Sequence, residues 1–107
     1  MGYSAAPFAV RLLSALTELW DDRRKKLKFR AWRRGFREID LILGGFADRN
    51  LAALDESGLD AFESLLEAND QDVYEWITEA VSPPPAHDTP TLARIRAFRS
   101  EMTQPPA

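Results

Sequence analysis

The chain has 107 residues, 45% of them hydrophobic, with a formal net charge of -3 and no cysteine. That length supports one small domain with a modest core, and the lack of cysteine excludes a disulfide framework, a zinc-thiolate site and a cysteine nucleophile. No apolar run approaches the ~20 residues needed to span a bilayer, and so small a net charge calls for neither nucleic acid nor an acidic membrane surface.

Leu12, Leu13, Leu16, Leu19, Trp20, Leu27 and Ala31 fall near helical spacing, which predicts one long helix or two sharing a direction. Residues 1 to about 6 are expected to be loose. Phe8, Val10, Leu12 and Leu13 resemble a signal-peptide core, but Arg11 interrupts them, no basic segment precedes them and no small-residue cleavage pattern follows. Glu18, Asp21 and Asp22 argue equally against a mitochondrial presequence, so the chain is read as unprocessed, soluble and cytoplasmic. Asp21 and Asp22 stand one turn before Lys25 and Lys26, a spacing that allows ion pairs worth ~0.2 to 0.5 kcal/mol each.

The charge then changes sign. Arg23 to Arg37 holds nine Lys/Arg and no acid, whereas Glu38 to Asp88 holds thirteen Asp/Glu against one arginine, Arg49. Gly35 lies between the basic run and an apolar one, where it is predicted to end the first helix in the left-handed conformation that glycine adopts without a Cβ penalty. Arg33 and Arg34 then complement the carbonyl end of that helix, and Glu38 the amide end of the next. Beside this structural reading stands a functional one, in which a tight corner displays Arg34 and Glu38 side by side while Gly35 leaves its backbone open to a partner.

The second helix starts just after Gly35, with Ile39, Ile42, Leu43, Phe46 and Ala47 on its buried face and Asp48-Arg49-Asn50 at its end. Gly44 and Gly45 inside that pattern each cost roughly 1 kcal/mol relative to Ala, so either the helix is weak there or a neighbouring backbone comes close. Leu59, Phe62, Leu65 and Leu66 form a third face behind Asp55 or Ser57 as N-cap. Asn69 is expected to close that helix and Asp70 to cap the next, whose face is Val73, Trp76, Ile77 and Ala80 and which Pro83, Pro84 and Pro85 stop. Thr89-Pro90 signals the start of a fifth helix, with Leu92, Ile95, Phe98 and Met102 as its stripe. The expected fold is all-α, a compact bundle of four to five short helices.

Catalytic chemistry is poorly supplied. His87, the sole histidine, lies in a proline-rich loop with no nucleophile beside it and reads as a surface residue. Glu67, Asp70 and Asp72 lack calcium-loop spacing and His or Cys helpers, and helix capping explains them more simply. No glycine-rich phosphate loop or dinucleotide fingerprint is present. Tyr74 and Trp76 read as core edge and core. The basic run, with Phe29 and Trp32 interleaved, would suit a phosphate backbone or an antitoxin-like module, but it reads better as a solvated helix face pairing with the acidic half of the same chain.

Arg34-Gly35-Phe36-Arg37-Glu38, continuing into Ile39-Asp40, resembles the RGxxE signature of the succinate dehydrogenase flavinylation factors, also called flavinators. A second block, Leu65 to Ile77, is similar to the acidic helix junction that leads to an aromatic and a tryptophan in that family. The likeness runs from about Arg24 to Phe98.

The resemblance implies a helical bundle that binds the flavoprotein subunit of succinate dehydrogenase, with fumarate reductase as a further client, and promotes covalent attachment of FAD to a histidine of that subunit. It implies a non-enzymatic assembly factor that binds no cofactor stably and acts on the partner's FAD. Arg34, Gly35 and Glu38 carry over as the partner-binding corner, with Asp40 beside them, and Phe36 and Arg37 occupy the variable positions. No nucleic-acid partner and no membrane insertion are expected, and the free protein is expected to be a monomer. On this reading residues 1–20 are an N-terminal extension, 21–102 the flavinylation-factor-like domain and 103–107 a flexible tail.

Overall fold

The computed structural model describes residues 6–103 as five α-helices and two short 3-10 turns. Residues 1–5, expected to be loose, and 104–107 of the tail lie outside the described residues; Ala6 and Thr103 are helical. Helix α1 spans Ala6–Ala31, α2 Arg37–Asn50, α3 Glu56–Glu67, α4 Asp70–Ile77 and α5 Pro90–Thr103. The 3-10 turns are Leu51–Ala53 and Pro85–His87.

The first element is a single helix rather than two, and it is not short: at 26 residues it extends for ~39 Å. Only its C-terminal part meets the core, through buried Leu27 and Ala31 and half-buried Trp20, while Leu12, Leu13, Leu16 and Leu19 remain exposed. The expected pairs of Asp21 with Lys25 and Asp22 with Lys26 do not form. The basic run pairs instead with other helices: Arg23 bonds Asp60 at 2.6 Å and Glu63 at 2.9 Å, Arg30 lies 3.7 Å from Glu63, and Lys28 lies 3.9 Å from Asp48. The carboxylates of Asp60, foremost, and Glu63 raise the Arg23 pKa further. Arg24 bonds the carbonyls of Leu51 and Leu54, satisfying the end of α2 and the turn after it.

Phe46 stands at the centre of the core, with Phe62 stacked at 5.8 Å and Phe98 edge-on at 6.0 Å. Ile39, Leu43, Leu59 and Leu92 are fully buried around it, each contributing ~1.5 to 3 kcal/mol by leaving water. The two glycines of α2 are explained by close approach, of aromatic side chains rather than of backbone. A Cβ on Gly44 would stand 2.2 Å from the indole of Trp32, and one on Gly45 3.1 Å from the tip of Phe98.

Two helix starts follow the sequence signals. The Asp55 carboxylate accepts from the Gly58 amide at 2.8 Å, and the Thr89 hydroxyl from the Leu92 amide at 3.2 Å. The α3–α4 junction differs from expectation. Asn69 does not close α3 but opens α4, accepting from the Gln71 and Asp72 amides at 3.0 and 3.1 Å, which releases Asp70 from capping. Helix α4 also ends well before the prolines. Glu79 takes a left-handed φ of 65°, its amide bonds the Trp76 carbonyl and the Val81 amide bonds that of Glu75, so the chain turns away and Ala80 is exposed. Met102, expected on the α5 stripe, is 44% exposed.

Candidate functional site

The corner between α1 and α2 is built from residues 32–36. Helix α1 stops at Ala31, with the Arg33 amide bonded to the Arg30 carbonyl at 3.1 Å. Gly35 is therefore not the C′ residue of α1, and no glycine among the described residues has a positive φ. Its requirement is for space: the Gly35 amide donates to Oδ2 of Asp70 at 2.6 Å, and a Cβ there would stand 3.0 Å from that same oxygen.

Arg34 does not complement the carbonyl end of α1 either. Its side chain, 12% exposed, donates through Nε to Oδ1 of Asp70 at 2.8 Å and through Nη2 to the Leu66 carbonyl. That carbonyl is one of the orphan acceptors of the last turn of α3, so the guanidinium caps a helix distant in sequence. Phe36 then meets Tyr74 edge-on, with centroids 5.4 Å apart. Three successive corner residues thus engage Leu66, Asp70 and Tyr74 on either side of the α3–α4 junction.

Asp40 closes the corner from the other side. From the first turn of α2 its Oδ1 reaches back to the Arg34 amide at 2.6 Å, while Phe36 at the N-cap position offers no side-chain cap. With Arg34 and Asp40 bonded inward, the predicted display of Arg34 beside Glu38 is not what the fold presents. Glu38, Arg37 and the backbone of Gly35 are exposed, and the Glu38 side chain has no hydrogen-bond or ion-pair partner among the described residues. Of the four predicted site residues, Arg34 and Asp40 build the corner, Gly35 both builds and exposes it, and Glu38 faces outward.

Asp70 is the residue that sequence reasoning misassigned, as a helix cap. Its one signal was its place inside the second block, which periodicity could not connect to the first. His87, read as a surface residue, is half-buried and stacks on Trp76 with centroids 4.9 Å apart. The basic run offers little to a phosphate backbone. Several of its cations are engaged within the chain, Arg33 covers the Phe29 ring at 3.7 Å, and Trp32 is turned in over Gly44 with its indole N–H 3.3 Å from Asp48.

Fold and corner together define a small all-α domain whose polar turn is braced from behind by a second helix junction and left open in front. The chain belongs to the family described as flavinator of succinate dehydrogenase, whose sequence pattern matches residues 25–99. It is similar to succinate dehydrogenase assembly factor 2, mitochondrial, of Arabidopsis thaliana, at 36% identity over 61 residues, covering 57% of this chain and 32% of that protein. To the protein of the same name from Candida glabrata it is 34% identical over 70 residues, 65% of this chain and 46% of the relative. To FAD assembly factor SdhE of Acetobacter pasteurianus it is 36% identical over 73 residues, 68% and 67% of the two chains. The matched region therefore spans from about a third to two thirds of the length of these relatives. Among the described residues no helix is long and apolar enough to cross a membrane.

Proposed function

We propose that this chain is an assembly factor that binds the flavoprotein subunit of succinate dehydrogenase, and of fumarate reductase where that enzyme is a client, and promotes covalent attachment of FAD to it. The observation that carries the reading is the Asp70 clamp, which joins the two sequence blocks of the family at a single carboxylate and leaves Glu38 and the Gly35 backbone facing out. Arg34 and Asp40 hold the shape of this surface, and Gly35 and Glu38 meet the partner.

The factor acts by binding and not as an enzyme. It holds the flavoprotein in a conformation where the accepting histidine and the flavin are correctly placed, so proximity and orientation lower the barrier to a step the partner performs on itself. The FAD belongs to the partner, and the factor keeps no cofactor of its own. A cysteine-free chain suits the cytoplasm, where we place the step, with the free factor a monomer.

In-gel flavin fluorescence of the denatured flavoprotein subunit tests this, in cells carrying the chain, lacking it or carrying Gly35→Arg. The expected result is a loss of covalent flavin in both the deletion and the variant. Unchanged fluorescence in the deletion overturns the proposal.

A further inference from the structure

An open groove of about 480 Å³ lies between α2 and α5, beside the corner. Its apolar lining is Trp32, Leu41, Gly45, Phe98 and Met102. Trp32 and Phe98 pack against Gly44 and Gly45, so the floor is an aromatic surface seated where α2 carries no side chain. Leu41 and Met102 stand at the mouth, 38% and 44% exposed. Leu41 belongs to the outer face of α2, where apolar exposure has no structural use, and methionine adapts its shape to what it meets. Asp48, Arg49 and Glu101 supply a charged rim. An apolar floor within a polar rim has the anatomy of an anchor pocket at a protein interface.

The position of the groove identifies its occupant. Leu41 lies three residues from Glu38 on the same exposed face of α2, ~5 to 6 Å away, and Asp48 closes the groove ~15 Å along the helix. A stable protein interface covers ~800 Å² on each partner, far more than Gly35 and Glu38 offer. A partner seated on the corner needs further contact area, and the groove is an apolar surface that continues from Glu38 along α2.

We propose that the groove between α2 and α5 is an anchor pocket for a bulky apolar side chain of the flavoprotein that the corner engages. This rests on the assembly-factor reading and adds a second contact to it. The corner sets the register through polar groups, and the groove supplies the desolvated contact that holds the complex.

The test measures binding of the purified flavoprotein subunit to the full chain and to Leu41→Glu, Met102→Glu and Gly35→Arg variants, with Val81→Glu, at an exposed remote position, as control. Leu41→Glu and Met102→Glu are expected to weaken binding at least tenfold with an unchanged melting curve, and Val81→Glu to bind as the unaltered chain does. A photoreactive residue placed at position 41 is expected to crosslink to the flavoprotein, which keeps the test independent of variant stability. If Gly35→Arg loses binding while both groove variants keep it, or if position 41 captures a second copy of this chain or its own tail, the anchor pocket is refuted and the corner reading stands. If the unaltered chain does not bind the flavoprotein at all, both are refuted.

Discussion

The Arg34 guanidinium meets the Asp70 carboxylate at 2.8 Å, and the other oxygen of that carboxylate takes the amide of the next residue, Gly35, at 2.6 Å. One aspartate therefore fixes both the side chain and the backbone of the corner. The pair is largely shielded, with side-chain exposures of 12% and 23%, so salt screens it less than a surface pair.

Asp70→Ala is expected to destabilise the fold by ~2 kcal/mol, because it takes the charged acceptor from the largely buried Arg34 guanidinium, while the exposed Gly35 amide turns to water. Asp70→Asn keeps one acceptor and should lose about half as much. Urea unfolding with an unchanged slope reads both values, and a loss under ~0.5 kcal/mol for the alanine variant would show that the clamp holds nothing in place.

Glu38→Gln separates surface from scaffold. The side chain is exposed and has no partner within the chain, so the stability change should stay within ~0.5 kcal/mol. Covalent flavin on the flavoprotein subunit should nevertheless fall in cells carrying the variant. Full flavinylation with Glu38→Gln would remove this residue from the contact.

Gly44→Ala should destabilise despite the better helix propensity of alanine. Propensity favours the change by ~1 kcal/mol, but the added methyl collides with the buttressing indole of Trp32, an overpacking that costs ~1 to 3 kcal/mol or more. Adding Trp32→Ala should recover part of the loss, a coupling that a double-mutant cycle measures as non-additivity. Strict additivity would mean that the indole does not meet the glycine.

Glu79→Gly should stabilise the protein by up to ~1 kcal/mol. Glu79 holds a φ of 65°, which costs a side-chain-bearing residue ~1 to 2 kcal/mol, and glycine gives back part of that gain through its freer unfolded chain. The ion pair lost, Glu79 with Arg96 at 3.9 Å, has an acid that is 73% exposed and contributes little. A lower melting temperature would show that this contact outweighs the strain.

Legible in the chain alone were the class of fold, the second, third and fifth helices, the cap at Thr89, the pair Asp55 and Ser57 from which the structure takes Asp55, the acidic partners of the basic run and the two blocks that mark the family. These features are written in spacings of three and four residues or in short motifs, so a local reading recovers them. At Gly44-Gly45 it left a weak helix and a close neighbouring backbone as alternatives, and what approaches is the side chains of Trp32 and Phe98. Why position 35 is glycine, where Arg34 points, what Asp70 does and that a left-handed glutamate follows α4 came from packing. Arg34 and Asp70 stand thirty-six positions apart, and no local periodicity spans that gap; the two meet because the α1–α2 corner packs on the α3–α4 junction. An arginine or an aspartate beside a helix end looks the same in sequence whether it caps its own helix or reaches to another, and the packing of the four helices chooses between these.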